Sequence, residues 1–463
     1  MGDSVDQSLI FDSELIRRYD RSGPRYTSYP TAVQFHENFG VERYREVARS
    51  TNESQRPLSL YFHLPFCDTV CFYCACNKVV TKDRSRSGPY LERLHREIAL
   101  QGELFDHERT VDQLHWGGGT PTFLSHEEMR ALMAQTKRFF TLREEGGEYS
   151  VEIDPREARH DTISLLRELG FNRMSLGVQD FDPRVQRAVN RLQTEKETSI
   201  VLEAARTAGF ASISADLIYG LPLQNVESFA KTLEKILALR PDRLSVFNYA
   251  HLPELFMPQR RINAADLPTP AEKLAILSYT IERLTSAGYI YIGMDHFAMP
   301  EDELARAQRE GSLYRNFQGY STHADADLIG LGATSIGKVG TTYSQNLKDL
   351  ESYYARLDRN ELAIFRGVEL DADDLARRDA ITDLICHFRL DYAKMARNHG
   401  IHCSDYFAGE ISELAAMEAD GLLSLSADGI IIQPRGKLLI RNICMVFDRY
   451  LRHQAQRRFS RVI

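Results

Sequence analysis

The chain has 463 residues, of which 43% are hydrophobic and 26% are charged, and its formal net charge is −8. This composition is that of a globular protein with a sizeable core, which excludes a mainly disordered chain, and the acidic balance argues against an extended nucleic-acid interface. No apolar run is long enough for a membrane-spanning helix and the acidic start Met1–Asp6 lacks the apolar segment of a secretory signal, so we expect a cytoplasmic protein that binds neither membrane nor nucleic acid.

In chain order, residues 1–36 are predicted to form an N-terminal arm over the active site. Its Gly23-Pro24 and Tyr29-Pro30 steps favour extended or turn backbone. Residues 37–300 then alternate between strands and helices. The predicted strands are 58–64, 113–117, 148–154, 173–179, 212–219, 242–249 and 289–295, and helices separate them, among them 90–105, 125–140, 195–208 and 225–239. This alternation predicts an α/β fold with a parallel sheet, open or closed into a barrel.

The rest of the chain is predicted to form two further segments. Residues 301–358 are rich in glycine and irregular towards their end, and we expect them to form a connecting, substrate-covering segment. Residues 359–463 indicate a smaller, mostly helical domain that resembles a winged helix, with a hairpin turning at Asp428-Gly429. A winged helix can bind DNA, but without a basic stripe we expect a structural or lid role.

Four of the seven cysteines cluster within ten residues, at Cys67, Cys71, Cys74 and Cys76. Clustered cysteines in a chain of this size indicate a metal or redox site rather than a disulfide scaffold. Three thiolates in a C-x3-C-x2-C loop would leave one iron of an iron–sulfur cluster open, whereas a fourth from Cys76 would complete a zinc site. The scattered cysteines are expected to be inert; they are Cys386, Cys403 and Cys444.

Polar residues follow the ends of five predicted strands, which is where the active face of a (β/α) barrel lies. They are Gly117–Thr120, Glu152 with Asp154, Gln179 with Asp180, Asp216, and Asn248 with Tyr249. Each residue alone is equally consistent with a turn, but the same placement on five strands favours a shared site.

The cysteine loop and the Gly117–Pro121 run after the next strand together resemble the radical S-adenosylmethionine (SAM) enzymes. Further motifs resemble one family of these, the oxygen-independent coproporphyrinogen III oxidases. They are Tyr61–Cys67, Cys76–Lys78, His115–Gly117, Glu152–Arg156, Gly177–Asp180, Asp216–Pro222, Asn316–Tyr320, Ser22–Pro30 and Arg441–Cys444. The resemblance spans nearly the whole chain and implies a partial (β/α) barrel of the radical SAM type.

The resemblance implies oxidative decarboxylation of two propionates of coproporphyrinogen III to the vinyl groups of protoporphyrinogen IX, in haem biosynthesis. A 5′-deoxyadenosyl radical, generated at the cluster, would abstract a propionate β-hydrogen. The implied cofactors are one [4Fe–4S] cluster and two SAM molecules. The implied partners are the substrate and a reduced one-electron donor protein such as a flavodoxin or ferredoxin, and the implied oligomeric state is a monomer.

Site residues follow from the same resemblance, position by position. Cys67, Cys71 and Cys74 would bind the cluster. Tyr61, Gly118, Glu152 and Ile336 match positions that hold the first SAM. Positions that hold the second SAM are matched by Tyr73, Gly119, Thr120, Gln179, Arg191, Asp216 and Ala250. The implied catalytic residues are Tyr61, His63, Cys76, Glu152, Phe317 and Gln318.

The four carboxylates of the substrate call for cations, and Arg21, Arg25 and Arg315 are the candidates. The alternative for Arg21 and Arg25 in the arm is that both are ordinary solvated side chains on the protein surface. The alternative role for Glu152 is that of a buried partner of Arg156. The alternative role for His63 is that of a hydrogen-bonded core histidine. At the level of function, the alternatives are a haem-binding chaperone, a radical SAM methyltransferase that modifies haem, and a structural zinc protein.

Overall fold

The computed structural model describes residues 8–453. The acidic start Met1–Asp6 lies outside this range, as do the outer ends of the predicted arm and C-terminal domain. The strands are β1 Leu58–Leu64, β2 Phe66–Cys67, β3 Val79–Val80, β4 Thr110–Gly118, β5 Thr141–Leu142, β6 Glu148–Ile153, β7 Arg173–Gln179, β8 Ser212–Tyr219, β9 Arg243–Asn248, β10 Ile290–Gly293, β11 His296–Ala298, β12 Tyr314–Asn316, β13 Gly319–Ser321, β14 Asp327–Leu331, β15 Ile336–Val339, β16 Thr342–Asn346, β17 Ile364–Glu369, β18 Arg389–Asp391, β19 Leu423–Leu425 and β20 Gly429–Ile432.

The α-helices range from one turn to more than four turns in length. They are α1 Ser13–Arg18, α2 Val41–Ser50, α3 Ser87–Gly102, α4 His126–Phe139, α5 His160–Glu168, α6 Pro183–Ala188, α7 Glu195–Thr207, α8 Val226–Leu239, α9 Pro270–Ser286, α10 Glu303–Glu310, α11 Leu350–Asp358, α12 Ala372–His387, α13 Tyr392–His399, α14 Cys403–Tyr406, α15 Ala408–Ala419 and α16 Ile440–Val446. No helix between residues 8 and 453 is long and apolar enough to cross a membrane.

The chain divides into two compact units, and the larger comprises residues 35–276 and 325–369. Its strands form a continuous sheet in the order β9-β8-β7-β6-β4-β1-β14-β15-β16-β17, with β5 beside β4. Every pair from β9 to β14 is parallel. The parallel strands alternate along the chain with helices, so this unit is the predicted partial (β/α) barrel, and the predicted α/β fold class is confirmed.

Local sequence explains why these elements form. Strands β6 and β7 bury alternate side chains, and helices α4, α6, α7 and α8 begin at side chains that cap the first turn. Ser125 with Glu128 before α4, and Thr194 with Glu197 before α7, form reciprocal capping boxes. The Thr269 hydroxyl also accepts the N–H of Glu272, at 3.2 Å, at the start of α9.

The smaller unit comprises residues up to 34, 277–324 and from 370 onwards. It contains the antiparallel hairpins β10–β11 and β12–β13 and a three-stranded sheet in the order β18-β20-β19. Along the chain, helix α12 precedes the strands of this small sheet, α13 to α15 lie between β18 and β19, and α16 follows β20. This order is the helix-and-hairpin pattern predicted for the C-terminal region. The four-part domain division predicted from the sequence stays a prediction.

One part of the larger unit differs from the sequence expectation. Residues 327–346, expected to be irregular, form β14, β15 and β16. Strand β14 pairs in parallel with β1, and the sheet then continues antiparallel through β15 and β16. The sheet therefore extends beyond β1 on the side opposite to β4.

Candidate active site

The three cysteines of the C-x3-C-x2-C motif lie at the start of, and within, the loop between β2 and β3. The two short strands pair in parallel, Phe66 with Val79 and Cys67 with Val80, so the base of the loop is closed. The cysteines of the loop are all free thiols. A closed base reduces the conformational entropy that the loop loses when its cysteines bind a common ligand.

Two arginines lie beside Cys71. Arg191 Nη1 donates to the Cys71 sulfur at 3.6 Å and Arg156 Nη2 donates to it at 3.9 Å. Both guanidinium groups also bind Asp154 Oδ2, at 2.9 Å from Arg191 and 2.6 Å from Arg156. Burial opposes ionisation of Asp154, but the two arginines outweigh it and hold its pKa below the ordinary value. Two cations against one carboxylate leave a net positive charge beside the Cys71 sulfur.

The other loop cysteines have different surroundings. Thr120 Oγ1 donates to the Cys67 sulfur at 3.6 Å. Interaction with the Cys76 thiol lowers the pKa of Cys74 to about 5, and the same interaction raises the pKa of Cys76. Burial raises the pKa of the Cys67 thiol to about 11. The ligand set Cys67, Cys71 and Cys74 stays a prediction from the motif.

The glycine run at the end of β4 packs directly against the cysteine loop. Gly118 has φ of +112°, and a Cβ added to it would lie 2.7 Å from the ring of His63. A Cβ on Gly119 would lie 2.6 Å from the carbonyl oxygen of Phe66, and its N–H donates to the Leu64 carbonyl at 2.8 Å. Glycine is required at both positions, because any side chain would separate β4 from β1 and the cysteine loop.

Glu152 lies on β6 next to this glycine run. Its carboxylate accepts the Gly118 N–H at 3.1 Å and His115 Nε2 at 3.3 Å, while Ser150 hydrogen-bonds the other ring nitrogen of His115. Burial raises the pKa of Glu152, but the bonds from His115 and Gly118 outweigh it, so the pKa is lowered overall. The side chain retains 44% exposure, which leaves the ionised carboxylate room for a further donor.

Tyr61 and His63 project from β1 towards the same group of side chains. The Tyr61 hydroxyl lies 3.2 Å from His63 Nδ1, and His63 Nε2 lies 2.9 Å from the carbonyl oxygen of Asn77. Because a carbonyl only accepts, Nε2 carries the proton and Tyr61 donates to Nδ1. Burial lowers the pKa of His63, so the imidazole is neutral at pH 7. The Tyr61 ring stacks on His115 with centroids 5.7 Å apart.

Further predicted residues lie at the carboxyl ends of the next strands. Asp216 on β8 accepts the Ser175 hydroxyl at 3.1 Å, and burial raises its pKa to about 6 although Ser245 also donates to it. Gln179 ends β7 with φ of +69°, a left-handed conformation that is strained for a side chain of this type. Arg191 Nη2 donates to the Gly177 carbonyl at 2.6 Å, so the arginine is fixed to the same strand.

Backbone contacts locate the last two predicted cofactor residues, Ala250 and Ile336. Buried Gln259 donates to the carbonyl of Ala250 at 3.3 Å and to the carbonyl of Tyr73 at 3.1 Å, which joins the end of β9 to the cysteine loop. Gly330 pairs with Tyr61, and a Cβ on it would lie 2.8 Å from the carbonyl carbon of Ile336. Ile336 therefore lies beside the strand that pairs with β1.

The remaining predicted residues belong to the smaller unit. Arg315 is buried with its guanidinium 4.8 Å from the Tyr320 ring, and its Nε and Nη1 have no hydrogen-bond partner among the described residues. Gln318 Nε2 likewise has none within that range. Arg25 forms an ion pair with Asp295 at 2.7 Å. Phe317 lies in the turn between β12 and β13, and Arg21 is exposed.

The larger unit thus contains most of the predicted site residues. They are Tyr61, His63, Cys67, Cys71, Tyr73, Cys74, Cys76, Gly118, Gly119, Thr120, Glu152, Gln179, Arg191, Asp216, Ala250 and Ile336. Their shared position at the carboxyl ends of parallel strands is the arrangement expected for the active face of a (β/α) barrel.

Sequence reasoning did not assign roles to His115 and Asp154. It offered Arg156 as a buried partner of Glu152, but Arg156 binds Asp154 and the partner of Glu152 is His115. The available signal was strand alternation, because His115 lies two residues before Gly117 on β4 and faces the same side.

Comparisons with known proteins agree with this geometry. A model of the radical SAM superfamily matches residues 61–236. Oxygen-independent coproporphyrinogen III oxidase of Pseudomonas aeruginosa is 57% identical, covering 98% of this chain and 99% of the relative, and that of Escherichia coli K12 is 51% identical, covering 99% of both. The solved structure of coproporphyrinogen III oxidase (HemN) from Escherichia coli, a radical SAM enzyme, has a TM-score of 0.92 and 49% identity over 96% of this chain and 100% of that chain.

The cysteine loop, the glycine run and the barrel therefore define a radical SAM enzyme, with a [4Fe–4S] cluster and SAM as its cofactors. Sequence identity over nearly the full length of this chain and of its relatives identifies the family within that class. The chain belongs to the family of oxygen-independent coproporphyrinogen III oxidases, so the predicted family and enzyme class are confirmed.

Proposed function

We propose that this chain catalyses the SAM-dependent, oxygen-independent oxidative decarboxylation of two propionates of coproporphyrinogen III to the vinyl groups of protoporphyrinogen IX. The observation that carries this proposal is full-length identity of 51–57% to relatives named for coproporphyrinogen III oxidation. The cysteine loop and the glycine run support it, because they pack against each other. The cysteine loop would bind the cluster, and the glycine run would leave room for SAM to approach the backbone closely.

Cys67, Cys71 and Cys74 would hold the cluster. They fit it because they are free thiols on a closed loop, with Thr120 and two arginines donating to their sulfurs. Three cysteines rather than four leave one iron open. When bound, the reduced cluster and SAM supply the 5′-deoxyadenosyl radical that removes a hydrogen from the propionate β-carbon.

The first SAM would be held by Tyr61, Gly118, Glu152 and Ile336. Glu152 is kept ionised by its neighbours and has accessible carboxylate surface, so it suits the ammonium group of the methionine moiety. Gly118 provides the space for close backbone approach. Neutral His63 orients the Tyr61 hydroxyl, and it is positioned to accept a proton at Nδ1.

A second SAM is proposed against Tyr73, Gly119, Thr120, Gln179, Arg191, Asp216 and Ala250. Buried Arg191 supports this, because its Nε has no hydrogen-bond partner among residues 8–453 and suits a carboxylate. Asp216 is a buried carboxyl at a strand end, which suits ribose hydroxyls. Counting the SAM molecules that bind per chain in equilibrium dialysis tests this part of the proposal.

Phe317, Gln318 and Cys76 are proposed as further catalytic residues, and Arg21, Arg25 and Arg315 as ligands of substrate carboxylates. Arg315 is the best supported, because its guanidinium is buried with two N–H groups that have no partner in the described part of the chain. Arg25 would have to exchange its ion pair with Asp295 for a substrate carboxylate. Cys76 is exposed beside Cys74, so it is accessible to a bound molecule.

The partners and setting complete the proposal. We propose that a reduced one-electron donor protein, such as a flavodoxin or ferredoxin, supplies the electron, and that the enzyme acts as a cytoplasmic monomer without membrane or nucleic-acid partners. The net charge of −8 supports the absence of an extended nucleic-acid interface.

An anaerobic turnover assay tests the reaction. Reconstituted enzyme is mixed with SAM, dithionite and coproporphyrinogen III; the products are oxidised to porphyrins and separated, and 5′-deoxyadenosine is counted. We expect protoporphyrin with about two 5′-deoxyadenosines per molecule, one per radical step. SAM cleavage without any change in the porphyrin would contradict the proposed substrate.

A further inference from the structure

Three large apolar side chains are exposed on the larger unit near the cysteine loop. Leu192 is 60% exposed, Leu255 is 63% exposed and Met257 is 72% exposed. Single exposed apolar residues are common, but a group of them on neighbouring segments indicates an interaction surface. The contacts of the two segments that carry them show where this surface lies.

The first segment follows α6 and is bonded to the cysteine loop on both sides of Cys71. The Phe72 N–H donates to the Val189 carbonyl at 2.9 Å, and Asn190 Nδ2 donates to the Val70 carbonyl at 2.8 Å. The next residue, Arg191, donates to the Cys71 sulfur. The exposed Leu192 is therefore one residue away from a group that touches a cluster ligand.

The second segment follows β9 and is bonded to the same loop. Gln259 donates to the carbonyl of Tyr73, the residue before Cys74, and the Arg261 guanidinium lies 5.4 Å from the centre of the Phe72 ring. Leu255 and Met257 precede these contacts in sequence. Both apolar segments thus converge on the backbone between Cys71 and Cys74.

The charges on these two segments are predominantly basic. Within residues 187–192 and 250–261, the exposed charged side chains are Arg187, Arg260, Arg261 and Glu254. Three arginines and one glutamate give these segments a local excess of positive charge, although the net charge of the whole chain is −8. Such a patch attracts an acidic partner and suppresses association with a basic one.

We propose that Arg187, Leu192, Leu255, Met257 and Arg260 form the donor surface, the place where a small acidic protein with a low-potential flavin or iron–sulfur centre docks. This inference rests on the proposed function, which requires that one electron pass from the reduced centre of a donor to the cluster. No bond forms or breaks in this step; the donor is oxidised by one electron and the cluster is reduced by one.

The size and composition of the surface suit this partner. Redox proteins associate through small interfaces, below about 1,200 Å² of total buried area, so a patch of five side chains at its centre is sufficient. An apolar centre with arginines at its rim combines contact energy with charge steering. Its contacts place the partner against the backbone that carries two of the three cluster ligands.

Charge reversal on the donor surface tests the proposal in the cluster-loaded enzyme. For the double variant Arg187→Glu/Arg260→Glu, we expect reduced flavodoxin to bind about tenfold more weakly at low salt, and the difference to shrink at high salt. The second-order rate of cluster reduction by flavodoxin, followed by cluster absorbance, should fall by about the same factor. Reduction by dithionite, which needs no docking surface, should stay within about twofold of wild type.

A matched control carries the same charge change elsewhere on this unit. Lys137→Glu/Arg138→Glu alters exposed residues in the last turn of α4, which lies at the amino ends of the parallel strands rather than their carboxyl ends. We expect this control to bind flavodoxin and to be reduced by it as the wild type is. The uncharged variant Leu255→Ser/Met257→Ser should also bind flavodoxin more weakly, with an unchanged salt dependence.

Two results would overturn the proposal: flavodoxin affinity that is the same in all variants, or a loss of affinity in the control that equals the loss in the Arg187/Arg260 variant. Failure of the proposed function is distinguishable, because it would appear as unchanged porphyrin in the dithionite assay of the wild type. Flavodoxin binding and cluster reduction are measured without the porphyrinogen, so they decide the docking question independently.

Discussion

At the scale of single residues, two neighbouring groups are both kept deprotonated at pH 7, one neutral and one negative, by different causes. Burial lowers the pKa of His63, whose Nε2 proton is directed at a carbonyl oxygen. Glu152 is also desolvated, yet its bonds from His115 and Gly118 lower its pKa. At pH 7 this pair therefore presents one negative charge and a neutral imidazole, which is suited to a cationic ligand.

Replacing Glu152 by glutamine removes this charge while nearly preserving the shape of the side chain. We expect SAM to bind the cluster-loaded Glu152→Gln variant about 30-fold more weakly, corresponding to the loss of a charged hydrogen bond of about 2 kcal/mol. Calorimetric titration with SAM measures this change. The control is Glu168→Gln, an exposed glutamate paired with Arg130, and equal affinity in both variants would contradict the assignment.

At the scale of secondary-structure elements, a buried ion pair anchors β14 to the turn before β4. Arg109 Nη2 lies 2.5 Å from Asp327 Oδ2, and the two side chains are 0% and 2% exposed. Arg109 also donates to Thr51 Oγ1 at 2.8 Å and to the Arg56 carbonyl at 2.8 Å. The edge of the parallel region is thus tied to the segment that follows α2.

Removing one partner of this pair leaves the other as an uncompensated buried charge. We expect Arg109→Met to lower the free energy of unfolding by about 3–5 kcal/mol, measured by urea denaturation. Arg130→Met breaks an exposed pair with Glu168 and should cost less than about 1 kcal/mol. Similar costs for the two variants would show that the buried pair does not anchor β14.

A second buried carboxyl braces the turn between β14 and β15. Glu97 on α3 accepts the Gly332 N–H at 2.7 Å, the Asn346 side-chain amide at 2.6 Å and the Tyr353 hydroxyl at 2.7 Å. This turn leads into Ile336, a proposed SAM contact. Burial raises the pKa of Glu97 from 4.5 to about 7 although its three donors lower it.

The sign of the resulting pH dependence follows from this raised pKa. The folded protein holds the Glu97 proton more tightly than the unfolded chain, so this stabilisation is complete below about pH 4.5 and is lost as pH rises through about 7. We expect the stability difference between wild type and Glu97→Gln to shrink by about 2–3 kcal/mol between pH 5 and pH 8. Urea denaturation at each pH measures it; Glu92→Gln, an exposed position on the same helix, should show no such change.

The elements that were predictable from sequence are those whose local pattern determines them. The parallel strands β1, β4 and β6 to β9 carry β-branched or alternating residues and are followed or preceded by helices of clear periodicity. Strands β14 and β15 were missed because Gly330 and Gly337 indicate loop, whereas here they permit backbones to approach within contact of Ile336 and Leu328. Glycine lowers strand propensity, but close packing requires it at these positions.

The candidate site also combines features that were predictable from the sequence with features that were not. That Glu152, Asp216 and the glycine run would share one end of a sheet followed from the order of strands and the position of polar residues. The pairing of Asp154 with Arg191, which is 37 residues away, did not follow from the sequence. Spacing along the chain does not determine the distance in space between the ends of two separate strands. Charge states of buried groups depend on such pairings, so they require the structure.

At the scale of the whole molecule, cofactor binding is linked to folding stability. Any ligand that binds only the folded state stabilises it in proportion to its free concentration. In the proposed function SAM would occupy the open iron of the cluster, so it would bind after the cluster. The cysteines outside the loop, Cys386, Cys403 and Cys444, are buried and contribute packing instead.

SAM should therefore stabilise the chain only when the cluster is present. At a concentration 100 times its Kd, we expect SAM to raise the free energy of unfolding of the cluster-loaded protein by about 2.7 kcal/mol. It should leave Cys74→Ser unchanged, because that variant lacks one of three ligands, whereas Cys403→Ser should behave as wild type. Anaerobic denaturation with and without SAM, together with iron and sulfide content, measures both effects. Equal stabilisation of the Cys74→Ser variant would contradict this prediction. With iron retained it would remove Cys74 from the ligand set, and without iron it would show that SAM binds this barrel without the cluster.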